Sequence, residues 1–179
     1  MKADFPELLP KANYKKILKY FFIAVFITIF HSVFLDFLEI MEVTPDLFIL
    51  LVVWITLNEG RFVGLVSGFA IGLYVDAISA DVLGTNALSK TITAFIASYF
   101  YNENSVYKTT KHAKFLLIVL LSVFVHNMIY TFFYIRTSEQ NFLIFYTKNG
   151  LFTTIYTTFF AVFVLMFQIP YNRIRIDSN

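Results

Sequence analysis

Long apolar runs separated by short polar segments constrain this chain more than any other feature of its sequence. A run of about 20 apolar residues spans the hydrocarbon core of a bilayer as a helix. Only 15% of the residues are charged and 58% are hydrophobic, whereas ordinary soluble domains carry roughly 25% charged residues. A soluble domain of 179 residues could not bury this many apolar side chains. The sequence therefore predicts a polytopic membrane protein.

The apolar runs predict an all-α membrane protein, a bundle of six transmembrane helices that forms a single domain over residues 1–179. The predicted spans cover approximately residues 18–38, 45–57, 62–78, 87–101, 115–135 and 151–170. The second and fourth spans are short for a full crossing, so we expect tilt or helical extension beyond these bounds. The first run has the length of a full span and lacks a small-residue cleavage site, which argues against a cleaved signal peptide.

Lysine and arginine residues are distributed unequally between the two sides of the predicted bundle. With a cytoplasmic N-terminus, the inner segments hold eleven of them: Lys2, Lys11, Lys15, Lys16, Lys19, Arg61, Lys108, Lys111, Lys114, Arg173 and Arg175. The outer loops hold only Arg136 and Lys148, and Lys90 lies inside the fourth span. Because basic residues favour cytoplasmic loops, both termini are predicted to be cytoplasmic. The basic cluster near the N-terminus indicates contact with anionic membrane lipids.

Glycines recur every four residues at the start of and along the third span. They are Gly60, Gly64, Gly68 and Gly72. Small residues at this spacing let two helices approach until their backbones are in contact, which stabilises helix pairs in lipid. The ridge therefore predicts a close packing face. A second helix of the same subunit is the favoured partner, and an interface with a partner protein or a second copy in a homo-oligomer is the alternative.

Ionisable and amide side chains are concentrated in the outer halves of the predicted spans. Because an ionisable group inside a membrane is costly, it usually faces protein or a water-filled cavity. The set predicts an outer polar pocket or recognition surface that includes an Asp76–Lys90 ion pair. Capping and snorkelling at the membrane interface would explain the same residues equally well. The members of the set are His31, Asp36, Asp46, Asp76, Lys90, His126 and Asn127.

The sequence offers no recognisable constellation of catalytic residues. Without cysteine, the chain has no disulfide, thiolate nucleophile or cysteine metal site. Ser67 in "GLVSG" does not have the spacing of a G-x-S-x-G nucleophile elbow. The two histidines in spans lack the i, i+4 spacing typical of zinc sites, and a P-loop and a dinucleotide fingerprint are missing. We therefore expect no enzymatic activity, no cofactor, no metal and no nucleic-acid partner.

The stretch from residue 45 to residue 99 resembles the MreD family, the small integral-membrane subunit of the bacterial rod-shape system. The resemblance rests on "PDLFILLVVW", "GRFVGLVSGFAIGLYVDAIS" and "VLGTNAL". In that family a proline lies near the start of the second span, and a basic turn leads into a glycine-bearing span that ends G-L-x-x-D. A Leu-Gly pair then precedes the next helix. The residues that fill these places are Pro45, Arg61, Gly64, Gly68, Phe69, Gly72, Asp76, Leu83 and Gly84.

The resemblance implies a non-enzymatic scaffold subunit of the rod-shape (elongation) complex in the bacterial cytoplasmic (inner) membrane. MreD-type proteins work with the bitopic protein MreC, and with MreB, RodA and its partner transpeptidase, to direct lateral peptidoglycan synthesis and cell shape. The family also resembles the six-helix substrate-binding subunits of energy-coupling-factor vitamin transporters, which is the alternative function. Those subunits dock through small residues on their first span, where this chain offers only Ala24 and Thr28. The scaffold is therefore favoured.

Overall fold

A computed structural model of the protein describes residues 14–39, 43–79, 82–103, 106–110, 113–135 and 141–168. The described residues form an all-helical bundle. In chain order the helices are α1 (Tyr14–Leu38), α2 (Leu47–Glu59), α3 (Arg61–Ser79), α4 (Thr85–Ser98), α5 (Val106–Thr110), α6 (Ala113–Ile135), α7 (Phe142–Phe145) and α8 (Leu151–Gln168). The all-α class predicted from the apolar runs is confirmed.

Six of these helices coincide with the six predicted spans, and every end agrees within four residues. By length and composition, three segments of the described chain can cross a membrane: α3, α6 and Phe142–Met166. Helices α2 and α4 have 13 and 14 residues. At 1.5 Å per residue, each is roughly 20 Å long, which is shorter than a hydrocarbon core of about 30 Å.

Residues 136–150 lie between the fifth and sixth predicted spans, and the second half of this range is helical. Helix α7 continues through a π-helical turn, Tyr146–Gly150, directly into α8. The polar residues TKNG occupy the wider π-helical turn, where the ring of Tyr146 lies against Gly150. A Cβ atom at Gly150 would lie 2.5 Å from that ring. The last helical segment therefore begins at the apolar run FLIF rather than after it.

Helix α2 is the centre of the bundle. It contacts α1, α3, α4, α6 and α8, and its side chains are buried on every face. A helix that is apolar all round is expected in such a place. Its inner residues join a core made of Ile49, Leu50, Val53, Leu57, Ala97, Phe115, Ile118, Val119, Val123 and Ala161. A short helix is accommodated here because neighbouring helices, and not lipid, cover most of it.

The glycine ridge brings α3 into backbone contact with α4. A Cβ atom at Gly68 would lie 2.8 Å from the carbonyl oxygen of Lys90. At Gly72 it would lie 2.5 Å from the Cα atom of Ala87. Either position therefore accepts only glycine without a shift of the α4 backbone. We call Gly64, Gly68 and Gly72 the glycine seam.

The first two glycines of the ridge face other elements of the same chain. A Cβ atom at Gly64 would lie 2.5 Å from Oγ1 of Thr56 in α2. Gly60 ends α2 with φ 89°, in a region that favours glycine, and passes the chain to α3 without a loop. The ring of Tyr101 lies 3.2 Å from where its Cβ atom would be. All four glycines thus make close contacts within one subunit.

Candidate functional site

Polar side chains converge at the end of the bundle where α2, α4 and α8 begin, which we call the cluster end. At its centre, the side chain of Lys90 is fully buried. Its Nζ donates to Oδ2 of Asp46 at 2.9 Å and to Oδ1 of Asn86 at 2.8 Å. A buried ammonium is tolerated only where it is paired and hydrogen-bonded. The polar cluster around it comprises Asp46, Asn86, Lys90, His126, Asn127, Thr154 and Thr157.

Asp46 is fixed by three helices at once. It is the N-cap of α2, where its Oδ1 accepts the backbone N–H of Ile49 at 3.0 Å. Its own backbone N–H donates to Oγ1 of Thr157 in α8 at 3.0 Å. Pro45 is buried and lies just outside α2, before the cap. The side chain of Asp46 remains 23% exposed, so the bundle does not fully enclose its carboxylate.

His126 and Asn127 extend the cluster from α6 to α8. Nε2 of His126 lies 3.5 Å from Nζ of Lys90, and its Nδ1 lies 3.3 Å from Oδ1 of Asn127. An ammonium can only donate, so these distances fit a ring in which Nε2 accepts and Nδ1 carries the hydrogen. The amide of Asn127 donates to the carbonyl of Gly150 at 3.1 Å and to Oγ1 of Thr154 at 2.9 Å. The cluster therefore connects α2, α4, α6 and α8.

Asp76 lies close to the polar cluster but binds the backbone of α4. It is buried on α3, and its Oδ2 accepts the N–H groups of Gly84 at 2.9 Å and Ala87 at 3.1 Å. Its Oδ1 accepts the N–H of Asn86 at 2.9 Å. The first N–H groups of a helix have no intrahelical partner and carry partial positive charge. A carboxylate from α3 therefore caps the start of α4.

The predicted Asp76–Lys90 ion pair is wrong, because Lys90 takes Asp46 as its carboxylate partner. The physical reason lies at the N-cap of α4, which is Gly84. Gly84 has φ 98° and no side chain with which to cap the helix. The uncapped N–H groups bind Asp76 instead, which corresponds to the capping interpretation of this residue.

The two other predicted polar residues, His31 and Asp36, both belong to α1. The ring of His31, on α1, has its centroid 6.1 Å from that of Phe48 and lines the same cavity as the polar cluster. Asp36 belongs to α1, but its side chain lies outside the part of the chain that the structure describes.

The remaining motif residues lie on the outside of the α3–α4 pair. The guanidinium of Arg61 stacks 4.5 Å from the ring centroid of Phe95, which joins the start of α3 to the end of α4. Phe69 projects from the outer face of α3, and Leu83 is exposed in the turn before Gly84. Neither residue contributes to the polar cluster.

A cavity of about 590 Å³ opens beside the polar cluster. Asp46, His126 and Asn127 form part of its wall. From His126 a strip of stacked rings continues along the wall to Tyr130 at 6.1 Å and on to Tyr134 at 5.9 Å, as centroid distances. Phe145 of α7 then stacks on Tyr134 at 5.2 Å. The wall of the cavity therefore contains both polar and aromatic groups.

Sequence reasoning missed three members of the cluster: Asn86, Thr154 and Thr157. Asn86 lies four residues before Lys90 on one helix face, a spacing at which side chains meet. Thr154 and Thr157 lie three residues apart in α8, but neighbouring threonines in the same helix make this signal weak. Within the described ranges, no three histidines or acidic residues are grouped so that they could hold a metal ion.

A family model described as rod shape-determining protein MreD matches residues 14–174 of the chain. Comparisons with curated proteins and with solved structures found no match. The alternative function, as a substrate-binding subunit of an energy-coupling-factor transporter, is not supported by these comparisons. The predicted likeness of the bundle to such subunits stays a prediction.

Proposed function

Because the chain belongs to the MreD family of rod shape-determining integral membrane proteins, we propose that it is a non-enzymatic scaffold subunit of the rod-shape complex. In this proposal the protein binds MreC and helps direct lateral peptidoglycan synthesis. MreB, RodA and the partner transpeptidase of RodA belong to the same complex. The observation that carries the proposal is the family match, which extends over residues 14–174 and so includes every described helix.

The polar cluster supports a structural role for the buried charges. Lys90 has three hydrogen-bond donors, and three acceptors from Asp46, Asn86 and His126 lie around it. A general acid or nucleophile needs an exposed reactive atom within reach of a substrate, whereas the ammonium of Lys90 is enclosed and ion-paired. Charges arranged in this way hold helices together.

Helix α1 is the face that we assign to the partner. The glycine seam is filled by α4 and α2, so it leaves no small-residue surface for another protein. Helix α1 packs mainly on α2. Its Phe22 and Phe26 side chains are 61% and 68% exposed. Since helices in lipid associate through side-chain packing, these rings give the single span of MreC a surface to pack against.

Co-purification from native membranes tests this proposal. We expect MreC to be recovered with the wild-type chain. Replacing Phe22 and Phe26 together by alanine should lower that recovery at least several-fold and round the cells, while the purified protein stays folded. The matched control is Phe159→Ala, which removes an exposed ring from α8 and should change neither result. Failure of the wild-type chain to recover MreC refutes the scaffold, and equal recovery with both variants refutes only the α1 interface.

We propose further that both termini are cytoplasmic and that the cluster end faces outward. The eleven-to-two distribution of basic residues supports this orientation. The chain has no cysteine, so single cysteines can be introduced without background. Ser79→Cys should react with a membrane-impermeant maleimide in intact spheroplasts, and Lys111→Cys should react only after permeabilisation. Labelling of Lys111→Cys from outside contradicts the orientation.

A further inference from the structure

The cavity beside the polar cluster has the size and wall of a small-molecule site. Its volume, about 590 Å³, falls within the roughly 300–1,000 Å³ typical of ligand pockets. Hydroxyl and amide groups surround the single carboxylate of its described wall. The polar residues of the wall include Asp46, Asn127, Thr131, Asn149 and Thr153.

The charges at the described part of this wall favour a neutral ligand over an ionic one. No lysine or arginine lines the described part of the cavity. A bound anion would therefore lie near the carboxylate of Asp46, and no cation of the described wall would balance the charge of the anion. A cationic ligand would compete with Lys90 for Asp46. Lys90 is fully buried behind the wall, and loss of its partner would leave an uncompensated buried charge. A neutral ligand disturbs neither charge.

The aromatic strip adds a second constraint on the ligand. The stacked rings of Tyr130, Tyr134 and Phe145 line the cavity together with hydroxyl and amide groups. Such a wall suits a compact molecule that has an apolar face and a rim of hydroxyl or amide groups. A pyranose ring has this form, since its C–H groups lie on its faces and its hydroxyls lie at the edge. N-acetylation adds a neutral amide.

We propose that this cavity binds a neutral, N-acetylated saccharide of up to about two rings. The charge balance and the aromatic strip define a neutral ligand rich in hydroxyl and amide groups, a chemistry that some vitamins share. The choice of a saccharide rests on the proposed role in peptidoglycan synthesis. The side chain of Asn149 and the hydroxyl of Thr153 supply contacts beyond the buried cluster.

The test compares neutral, cationic and anionic sugars with an unrelated neutral ligand. The full chain in lipid nanodiscs is titrated calorimetrically with N-acetylglucosamine, its β-1,4 disaccharide, glucosamine, N-acetylglucosamine 6-phosphate and riboflavin. We expect the neutral sugars to bind at least 10-fold more tightly than the cationic and the anionic sugar. Absence of binding by both neutral sugars overturns the proposal, as does equal binding of the charged ones. Tighter binding of riboflavin than of the disaccharide overturns the saccharide assignment.

Two amide variants show whether binding occurs in this cavity. Asn149→Ala should weaken disaccharide binding at least 10-fold without changing the melting temperature. Asn58→Ala removes an amide at the opposite end of α2, where Nδ2 donates to the carbonyl of Trp54, and should leave binding unchanged. Equal effects of the two variants overturn the site. MreC recovery is measured in parallel with the wild-type chain: recovery of MreC without sugar binding refutes this inference alone, and sugar binding without recovery of MreC refutes the scaffold.

Discussion

Helix α4 is held on its two sides by contacts of different kinds. Toward α3, the glycine seam brings backbone against backbone, and Gly72 leaves no space for a single added carbon. Toward α2, α6 and α8, the polar cluster holds α4 by one buried ammonium with its surrounding acceptors. The first side depends on the absence of side chains, and the second depends on their chemistry.

The two sides of α4 should therefore tolerate different substitutions. The side toward α3 is sensitive to side-chain volume, and the side toward the polar cluster is sensitive to charge. At Gly68 and Gly72 of the glycine seam, any added volume must displace the α4 backbone, whatever its polarity. In the polar cluster, side chains of similar size can replace one another only if the charge of Lys90 stays balanced. Interiors are packed too densely to absorb the first change, and a low-dielectric interior penalises the second. Substitutions chosen for volume or for charge should therefore distinguish the two sides.

The largest effect is expected from Asp46→Asn, which removes the charge and keeps the size. Asparagine caps helices about as well as aspartate, so the α2 cap is retained and Lys90 loses its counter-ion. Removing one partner of a buried pair typically costs about 3–5 kcal/mol. We expect a loss of that order in the free energy of unfolding, measured by denaturant titration in detergent.

The double variant Asp46→Asn with Lys90→Met is the control for this effect. It removes both charges, so it should be more stable than Asp46→Asn alone. A double variant no more stable than the single one would show that the ammonium is not what makes the single substitution costly. The charge of Lys90 would then not be what distinguishes the polar cluster from the glycine seam.

The next largest effect is expected from Gly72→Leu, which changes volume without charge. A Cβ atom there lies 2.5 Å from Cα of Ala87, so the α4 backbone has to move. Overpacking of this kind typically costs about 1–3 kcal/mol. Val66→Leu, on the exposed face of the same helix, should be neutral. Equal losses of melting temperature at Gly72 and Val66 would mean that the seam contributes nothing.

A smaller effect is expected from Asp76→Ala, which removes the carboxylate that caps α4. Loss of a helix cap typically costs about 0.5–2 kcal/mol. Asp76 and Lys90 are not ion-paired but share Asn86, through its backbone N–H and its side-chain oxygen, so we expect the coupling between Asp76→Ala and Lys90→Met to be about 0.5 kcal/mol, the low end for residues of one network. The free energies of unfolding of both single variants and the double variant measure this. A coupling well above that value would restore the Asp76–Lys90 pair.

The glycine seam could be predicted from the sequence, and the pairing within the polar cluster could not. Glycines at a spacing of four fall near one another on one helix, so the local sequence contains the whole signal. Lys90 is 44 residues from Asp46 and 36 from His126. Hydropathy gives the depth of such residues but not their neighbours. Asp76 and Lys90 have similar depths in the predicted spans, which is why the sequence pairs them. The N–H groups at the start of α4, which bind Asp76, do not appear in a hydropathy pattern.

The helical spans were predictable for a related reason, and the α7–α8 region shows where the reasoning fails. Apolar length gives six helices directly, since each run must hide its backbone polar groups in a helix. The segment 146–150 reads as polar, yet its π-helical turn keeps it helical, because Tyr146 packs on Gly150. This contact within one helical turn is not visible in the polarity of the segment.

The smallest effect is expected from Ser122→Ala. This substitution tests whether a buried polar group near the polar cluster contributes to stability when it makes no hydrogen bond. Oγ of Ser122, on α6 one turn before His126, is buried and has no hydrogen-bond partner among the described residues. Removing a buried hydroxyl that makes no bond should change the free energy of unfolding by less than about 0.5 kcal/mol. Thr154→Val is the matched comparison, because that hydroxyl accepts from Asn127 at 2.9 Å and its loss should cost about 1 kcal/mol. If Ser122→Ala costs as much as Thr154→Val, the polar cluster extends one turn further along α6 than its hydrogen bonds indicate.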